Sequence, residues 1–263
     1  MRIDSERARR TKKRKKIVHY LVCSIIAVIM LFPFYWMLTT SLKTYSNVMK
    51  FPPQWWPDPF TLDNYIELFS RHPFLTYLWN SVYIAALVSL GVVFVSSLAG
   101  YAFAKIRFKG SNFLFLVILS GMMMPIEVTI IPLFLALSEM NLANSHFGLI
   151  IQPIFGYCGA FGTFLMRQFF ITVPTELIEA GKIDGASHLR IFNKIMLPLA
   201  SSTIATLVIF SFLQSWYDYL MPLVLLNDSR TYTLPLGVLS CSPLRWGWNG
   251  IWSWREQHFQ PCP

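Results

Sequence analysis

Two acids stand nearly alone in apolar surroundings: Glu127 in MPIEVTIIPLF and Asp218 in FLQSWYDYLMPLVLLND. An ionisable group at membrane depth is costly to hold and is a functional candidate by default. Glu127 follows Pro125 in an interrupted helix, so it either lines a pathway or pairs with a freed backbone group. Asp218 sits beside Trp216, Tyr217 and Tyr219. Aromatic rings and a carboxylate suit a sugar by stacking and hydroxyl hydrogen bonds, and they equally suit helix packing near an interface. Acid–base catalysis would need a second group at the same depth. No HExxH, GxSxG or clustered carboxylate pair supplies one. The Gly181-Lys182 pair has Glu176 where the first glycine of a phosphate-binding GxxxxGK[ST] loop belongs, so no P-loop is read here. Cys23, Cys158, Cys241 and Cys262 lack CxxC spacing and a nearby His pair, so neither a metal site nor any other cofactor is called for.

The other chemistry is one of docking. Residues 174–199 read PTELIEAGKIDGASHLRIFNKIMLPL, a polar, mildly basic segment between two long apolar runs. Pro174 suits a helix start, and Thr175 can cap the free amides of the first turn. Leu177, Ala180, Gly181 and Asp184 then share one face, small at its centre, which a partner backbone could approach closely. Gly185 is placed to stop this helix in the left-handed conformation. Ser187 can start a second helix with the apolar stripe Leu189, Phe192, Ile195, Met196 and Leu199. Lys182, His188, Arg190, Asn193 and Lys194 stay in water. An amphipathic linker lying on a membrane surface is the other reading of this pattern.

These groups must be held by membrane spans. The 263 residues are 54% hydrophobic and only 13% charged, with mean hydropathy +0.48. That is about half the charge of a soluble domain. The fold class is all-α, a polytopic membrane helix bundle. Five apolar runs are long enough to cross a bilayer: about 17–40, 77–104, 112–138, 146–170 and 200–226. Nine of the 22 Lys/Arg lie within residues 2–16. Directly before an apolar run, such a tail anchors the chain against acidic headgroups; its expected partner is membrane lipid and not nucleic acid. Lys105, Arg107 and Lys109 follow the second run, and Arg167, Lys182, Arg190 and Lys194 follow or flank the end of the fourth. The charge asymmetry places these links and the N-terminus in the cytoplasm. Residues 41–76 form an extracytoplasmic loop with four prolines up to Pro59, interfacial Trp55 and Trp56, and a short amphipathic stretch at 61–70. It reads either as a cap over the helix ends or as a contact surface for a soluble partner.

Glu179-Ala180-Gly181, then Asp184-Gly185-Ala186, then Phe192 and Leu197-Pro198 resemble the EAA loop of ABC importer permeases. Residues 51–65, 124–134, 212–228 and 233–238 are similar to the carbohydrate-importer branch, the maltose and glycerol-phosphate permease type. The resemblance covers about residues 15–238. It implies a permease subunit of an ATP-driven importer for a sugar or related carbohydrate, and no enzyme activity of its own. It also implies a second homologous permease subunit, a cytoplasmic ATP-binding subunit pair and an extracytoplasmic solute-binding protein. Carried over by position, Glu179, Ala180, Gly181, Asp184, Gly185 and Ala186 form the ATPase-coupling element. Gly181 departs from the alanine usual there, which would loosen the helix.

The family pattern breaks after Val238. Residues 77–238 read as a permease core, and 239–263 as a tail, LSCSPLRWGWNGIWSWREQHFQPCP, with four tryptophans and no apolar run. Five spans are visible where the family has six. The abrupt change predicts a shifted reading frame and a lost C-terminal span; a genuine interfacial segment is the alternative. A non-transporting membrane scaffold, or a truncated inactive subunit, is the competing reading of function.

Overall fold

The computed structural model describes residues 2–48 and 50–241. The expected change of character at 239–263 therefore lies almost wholly outside the described residues. The described residues are helical throughout, joined by turns and loops. They fall into two units, one ending at His72 and one beginning at Pro73.

The first unit holds α1 (Arg2–Ser41), a single turn α2 (Tyr45–Val48) and α3 (Asp63–Arg71). The expected first span lies within α1, and α3 matches the expected amphipathic stretch. The proline-rich segment folds back on the end of α1. Tyr35 donates to the Trp55 carbonyl at 2.9 Å, and Asn64 donates to the carbonyls of Ser41 and Lys43 at 2.9 and 2.8 Å. Lys43 is 2% exposed; its ammonium donates to the Gln54 carbonyl and lies 4.8 Å from the Trp36 ring centre. Cation–π attraction and the carbonyl together satisfy that charge without a carboxylate.

The second unit is built on α4 (Phe74–Lys105), a 32-residue helix. Around it run α5 (Ser111–Met122), α6 (Ile126–Glu139), α7 (His146–Phe155), α8 (Tyr157–Thr172) and α12 (Ser201–Tyr217). Between α8 and α12 come α9 (Glu176–Ile183), α10 (His188–Ile191), a π turn at Phe192–Met196 and α11 (Leu197–Leu199). The chain ends its described course with α13 (Leu220–Leu225) and α14 (Leu234–Cys241). The most extensive packing is α4 against α8, then α4 against α12. Small side chains allow it: Ser96, Ser97 and Gly100 on α4 meet Gly159, Gly162 and Thr163 on α8, all buried. Ser96 Oγ donates across the interface to the Gly159 carbonyl at 3.1 Å. In lipid, where apolar burial gives little drive, close packing and such hydrogen bonds hold helices together.

Three expected spans are interrupted. The 112–138 run is two helices meeting at 103°, because Pro125 has no N–H to continue the ladder and takes an extended ψ of 137°. Each half, at 12 and 14 residues, rises only about 18–21 Å, too short to cross alone. The 146–170 run breaks at Gly156, and the fifth stops at Tyr217, where Asp218 is extended. Among the described residues, three helical stretches are long and apolar enough to cross a membrane, Lys12–Ser41, Phe74–Lys105 and His146–Thr172 taken through its break at Gly156, or up to five if each bent pair is one span.

The far ends of these helices are tied by side-chain amides. Asn144, at φ +56°, accepts at Oδ1 from the backbone of Asn227 and Asp228 at 3.0 and 3.3 Å. Asn80 donates to the carbonyls of Arg230 and Tyr232 at 3.1 and 3.0 Å. Asn144→Ala gives up two hydrogen bonds, leaving exposed amides to water, and puts a Cβ-bearing residue without a polar tip in the left-handed region. We expect a loss of about 1–3 kcal/mol, read as a lower unfolding temperature of the detergent-solubilised protein.

Candidate functional site

The 174–199 loop is a tethered helix–turn–helix. α8 ends at Thr172, and Lys105 at the tip of α4 donates to the Val173 carbonyl at 2.6 Å, fixing where the loop leaves the bundle. The Thr175 side chain makes no cap, contrary to the sequence expectation. Its backbone is already helical, at φ −69° and ψ −26°, which turns the hydroxyl away, and its carbonyl instead receives Ile178 and Glu179 at 2.9 and 3.0 Å. Glu176 and Glu179 stand in the first turn, where carboxylates favour the helix dipole.

The turn at Gly185 is a Schellman motif. The Gly185 amide reaches the Lys182 carbonyl at 3.0 Å, and the Ala186 amide reaches the Gly181 carbonyl at 2.9 Å. Both bonds require Gly185 at its φ of +75°. Ser187 then caps α10 as expected, accepting from Arg190 at 3.4 Å. The apolar stripe is rotated from its expected position. Ile191, Phe192 and Met196 are buried and Ile195 half-buried, while Leu189 and Leu199 are exposed. The cause is the π turn: Pro198 cannot donate to residue 194 and its ring crowds that carbonyl, and the helix widens just before it, with Leu197 N–H reaching back to Phe192.

Gly181 faces inward. An added Cβ would stand 3.1 Å from Ile191 Cγ1, so the close approach is made by the loop's own second helix and not left open for a partner. Leu177, Glu179, Ala180 and Asp184 form the exposed side, and the Glu179 carboxylate has no ion-pair partner among the described residues. Ala186 is half-buried. Tyr101 near the end of α4 ties the second helix down: its hydroxyl meets His188 Nδ1 at 3.2 Å and its ring lies 5.4 Å from Phe192. Gly181→Ala adds helix propensity of about 0.5–1 kcal/mol against a squeeze on Ile191. We expect near-neutral stability for alanine and clear loss of folded loop for Gly181→Leu, checked by protease accessibility.

The second feature lies where the three helix breaks meet. A cavity of about 500 Å³ opens between them. The α5–α6 break contributes Met123, Met124, Glu127 and Thr129; the α7–α8 break contributes Gln152, Gly156 and Tyr157; the α12–α13 break contributes Gln214, Ser215 and Asp218. Glu127 and Asp218, 91 positions apart in the chain, thus share one wall system. Glu127 is exposed and makes no hydrogen bond among the described residues, so it lines the cavity and does not pair with freed backbone. Asp218 Oδ1 accepts from the amides of Leu220 and Met221 at 3.1 and 3.3 Å, capping α13. The aromatic group on the cavity is Tyr157, not the expected Trp216, Tyr217 or Tyr219; Trp216 instead stacks on Phe212 at 5.9 Å. Gln152 and Gln214 were not singled out from sequence, although each lies within four residues of a helix break.

Residues 93–244, which contain both features, match the family described as the binding-protein-dependent transport system inner membrane component. The chain belongs to this family. The permease is 34% identical over 233 residues to the arabinooligosaccharides transport system permease protein AraQ of Halalkalibacterium halodurans, covering 86% of this chain and 82% of that one. It is 35% identical over 226 residues to the lactose transport system permease protein LacG of Rhizobium radiobacter, covering 85% and 81%. It is 30% identical over 229 residues to the sn-glycerol-3-phosphate transport system permease protein UgpE of Brucella abortus, covering 84% and 80%. Its fold matches a chain of a bacterial ABC transporter involved in the import of the acidic polysaccharide alginate, with a TM-score of 0.74 at 24% identity over 94% of the permease and 86% of that chain. The expected family and the helical permease fold are borne out. The family is one of transport components and not of enzymes.

Proposed function

We propose that this permease is one membrane subunit of an ATP-driven importer for a sugar or related carbohydrate. A second homologous permease subunit completes the pathway, a pair of cytoplasmic ATP-binding subunits engages the 174–199 loop, and an extracytoplasmic solute-binding protein delivers the solute. The N-terminus and the loop face the cytoplasm, a reading the distribution of Lys and Arg supports. The observation that carries the reading is the loop itself. It is rigid where it meets the bundle, through Lys105 and Tyr101, and exposed where a partner would grip it, at Leu177, Glu179, Ala180 and Asp184. α10 and α11 run on into α12 across a 79° bend at Ala200, so force on the loop is delivered to α12. The relatives named for arabinooligosaccharides and lactose support the carbohydrate class.

The test is co-purification of the complete assembly from membranes, followed by ATP-dependent uptake in liposomes. The parent chain should retain the ATPase and the second permease. Glu179→Arg, a charge reversal on the exposed side of α9, should lower ATPase retention by about tenfold while insertion is unchanged. A chain that brings down no ATPase at all would end the importer reading in favour of a scaffold.

A further inference from the structure

The geometry points to a solute subsite within this subunit, in the cavity at the three helix breaks, selective for neutral, hydroxyl-rich saccharides and closed to anionic ones. The inference rests on the importer reading and adds which solutes this subunit accepts. Its lining carries two carboxylates, Glu127 and Asp218, and no Lys, Arg or His. Gln152, Gln214 and Ser215 offer neutral donors and acceptors, and Tyr157 offers a ring face. Amides, hydroxyls and carboxylates match sugar hydroxyls as both donors and acceptors. The volume lies within the ordinary range for small-molecule sites.

Rejection of anions has a structural basis beyond the count of charges. Helix N-termini attract anions, and three of them begin at this cavity. That of α6 carries Glu127 in its own first turn, and that of α13 is occupied by the Asp218 carboxylate. α8 opens at Gly156 without a side-chain cap. The α6 and α8 ends therefore keep amides without a side-chain acceptor to meet a hydroxyl oxygen, beside two carboxylates that a phosphate or uronate would have to approach without a cation to offset them. The glycerol-phosphate relative and the alginate importer carry their anionic cargo in their names; this cavity is built for the other class.

The experiment uses the complete reconstituted assembly carrying Gln214→Cys or, independently, Thr129→Cys, with the parent chain labelled in parallel to subtract its native cysteines. Thiol labelling is timed with a trimethylammonium methanethiosulfonate and with a sulfonate methanethiosulfonate of equal size. Relative to a free thiol, the cationic reagent should react at least about tenfold faster than the anionic one at both positions. Lactose and arabinotriose should slow labelling about threefold or more, and glucose 6-phosphate and galacturonate should not. Equal rates for the two reagents, protection by the anions, or no protection by either neutral saccharide at either position would each overturn the inference. Retention of the ATPase is scored on the same samples. If it is retained while protection fails, this subsite is wrong and the importer reading stands; if it is lost from the parent chain, the importer reading itself is wrong.

Discussion

Gly185→Val should reduce ATP-dependent uptake by at least about tenfold while leaving the amount of inserted protein unchanged. At φ +75° a residue with a Cβ is strained by about 1–2 kcal/mol, and β-branching makes that region still less accessible. An energy of that size shifts a local equilibrium by roughly 5- to 30-fold. The strain is purely conformational, since nothing lies within 4 Å of a Cβ built at this position. The cheapest escape is to give up the two Schellman bonds, from Gly185 to Lys182 and from Ala186 to Gly181, which set the angle between α9 and α10. The bundle is not touched, so membrane insertion and unfolding temperature should hold. Asparagine tolerates the left-handed region, so Gly185→Asn should retain most uptake, with alanine between the two. Uptake by the valine variant at the parent level would disprove the argument. So would asparagine as damaging as valine, because that would point to space and not to φ.

Gly100→Leu should have the opposite signature, a loss of folded protein and not of coupling alone. A Cβ at Gly100 would stand 2.8 Å from the Arg167 backbone nitrogen and 2.6 Å from Met166 Cβ. Backbone cannot swing aside as a flexible side chain can, so α4 and α8 must separate. That separation breaks the Ser96 to Gly159 hydrogen bond and opens the best-packed interface of the second unit. Overpacking of this kind costs about 1–3 kcal/mol, and the lost interhelical contacts add to it. The expected result is a markedly lower yield of monodisperse protein in detergent and a lower unfolding temperature. Gly121→Ala is the control for adding a Cβ to a helical glycine: nothing lies within 4 Å of it there, so it should cost little. If Gly100→Leu folded as well as Gly121→Ala, the small-residue seam would not be what brings α4 and α8 together.

How much of this could be read without coordinates varied with the range of the forces involved. Composition and run length are local, and all five apolar runs did become helices. Gly185 and Ser187 were legible because a left-handed stop and a hydroxyl cap depend on only a few neighbouring residues. The rotated stripe in 188–199 was not, because a period of 3.6 was assumed across a stretch where Pro198 imposes a wider turn. Thr175 failed as a cap for a related reason: its type permits capping, but the tight link from Val173 sets its backbone dihedrals. Gly181 was read as an invitation to a partner, when the neighbour that fills the space is Ile191, ten residues on. Pro125 marked one break in advance. Gly156 did not, since a single glycine in an apolar run is as often packing as punctuation. Glu127 and Asp218 stood out because each is a charge in an apolar setting, yet their sharing of a cavity is a tertiary fact that no spacing along the chain encodes.

The three interruptions at Met123–Pro125, Gly156 and Asp218 have a mechanical meaning as well as a chemical one. A continuous helix bends little, so a bundle of rods flexes mainly at its joints. Here the joints of three rods are gathered around one hollow, and the groups that line it hang from the joints themselves. A molecule lodged there would act as a wedge in a hinge, stiffening whichever posture it fits best. The vacant and filled subunit would then differ in compliance before they differ in shape.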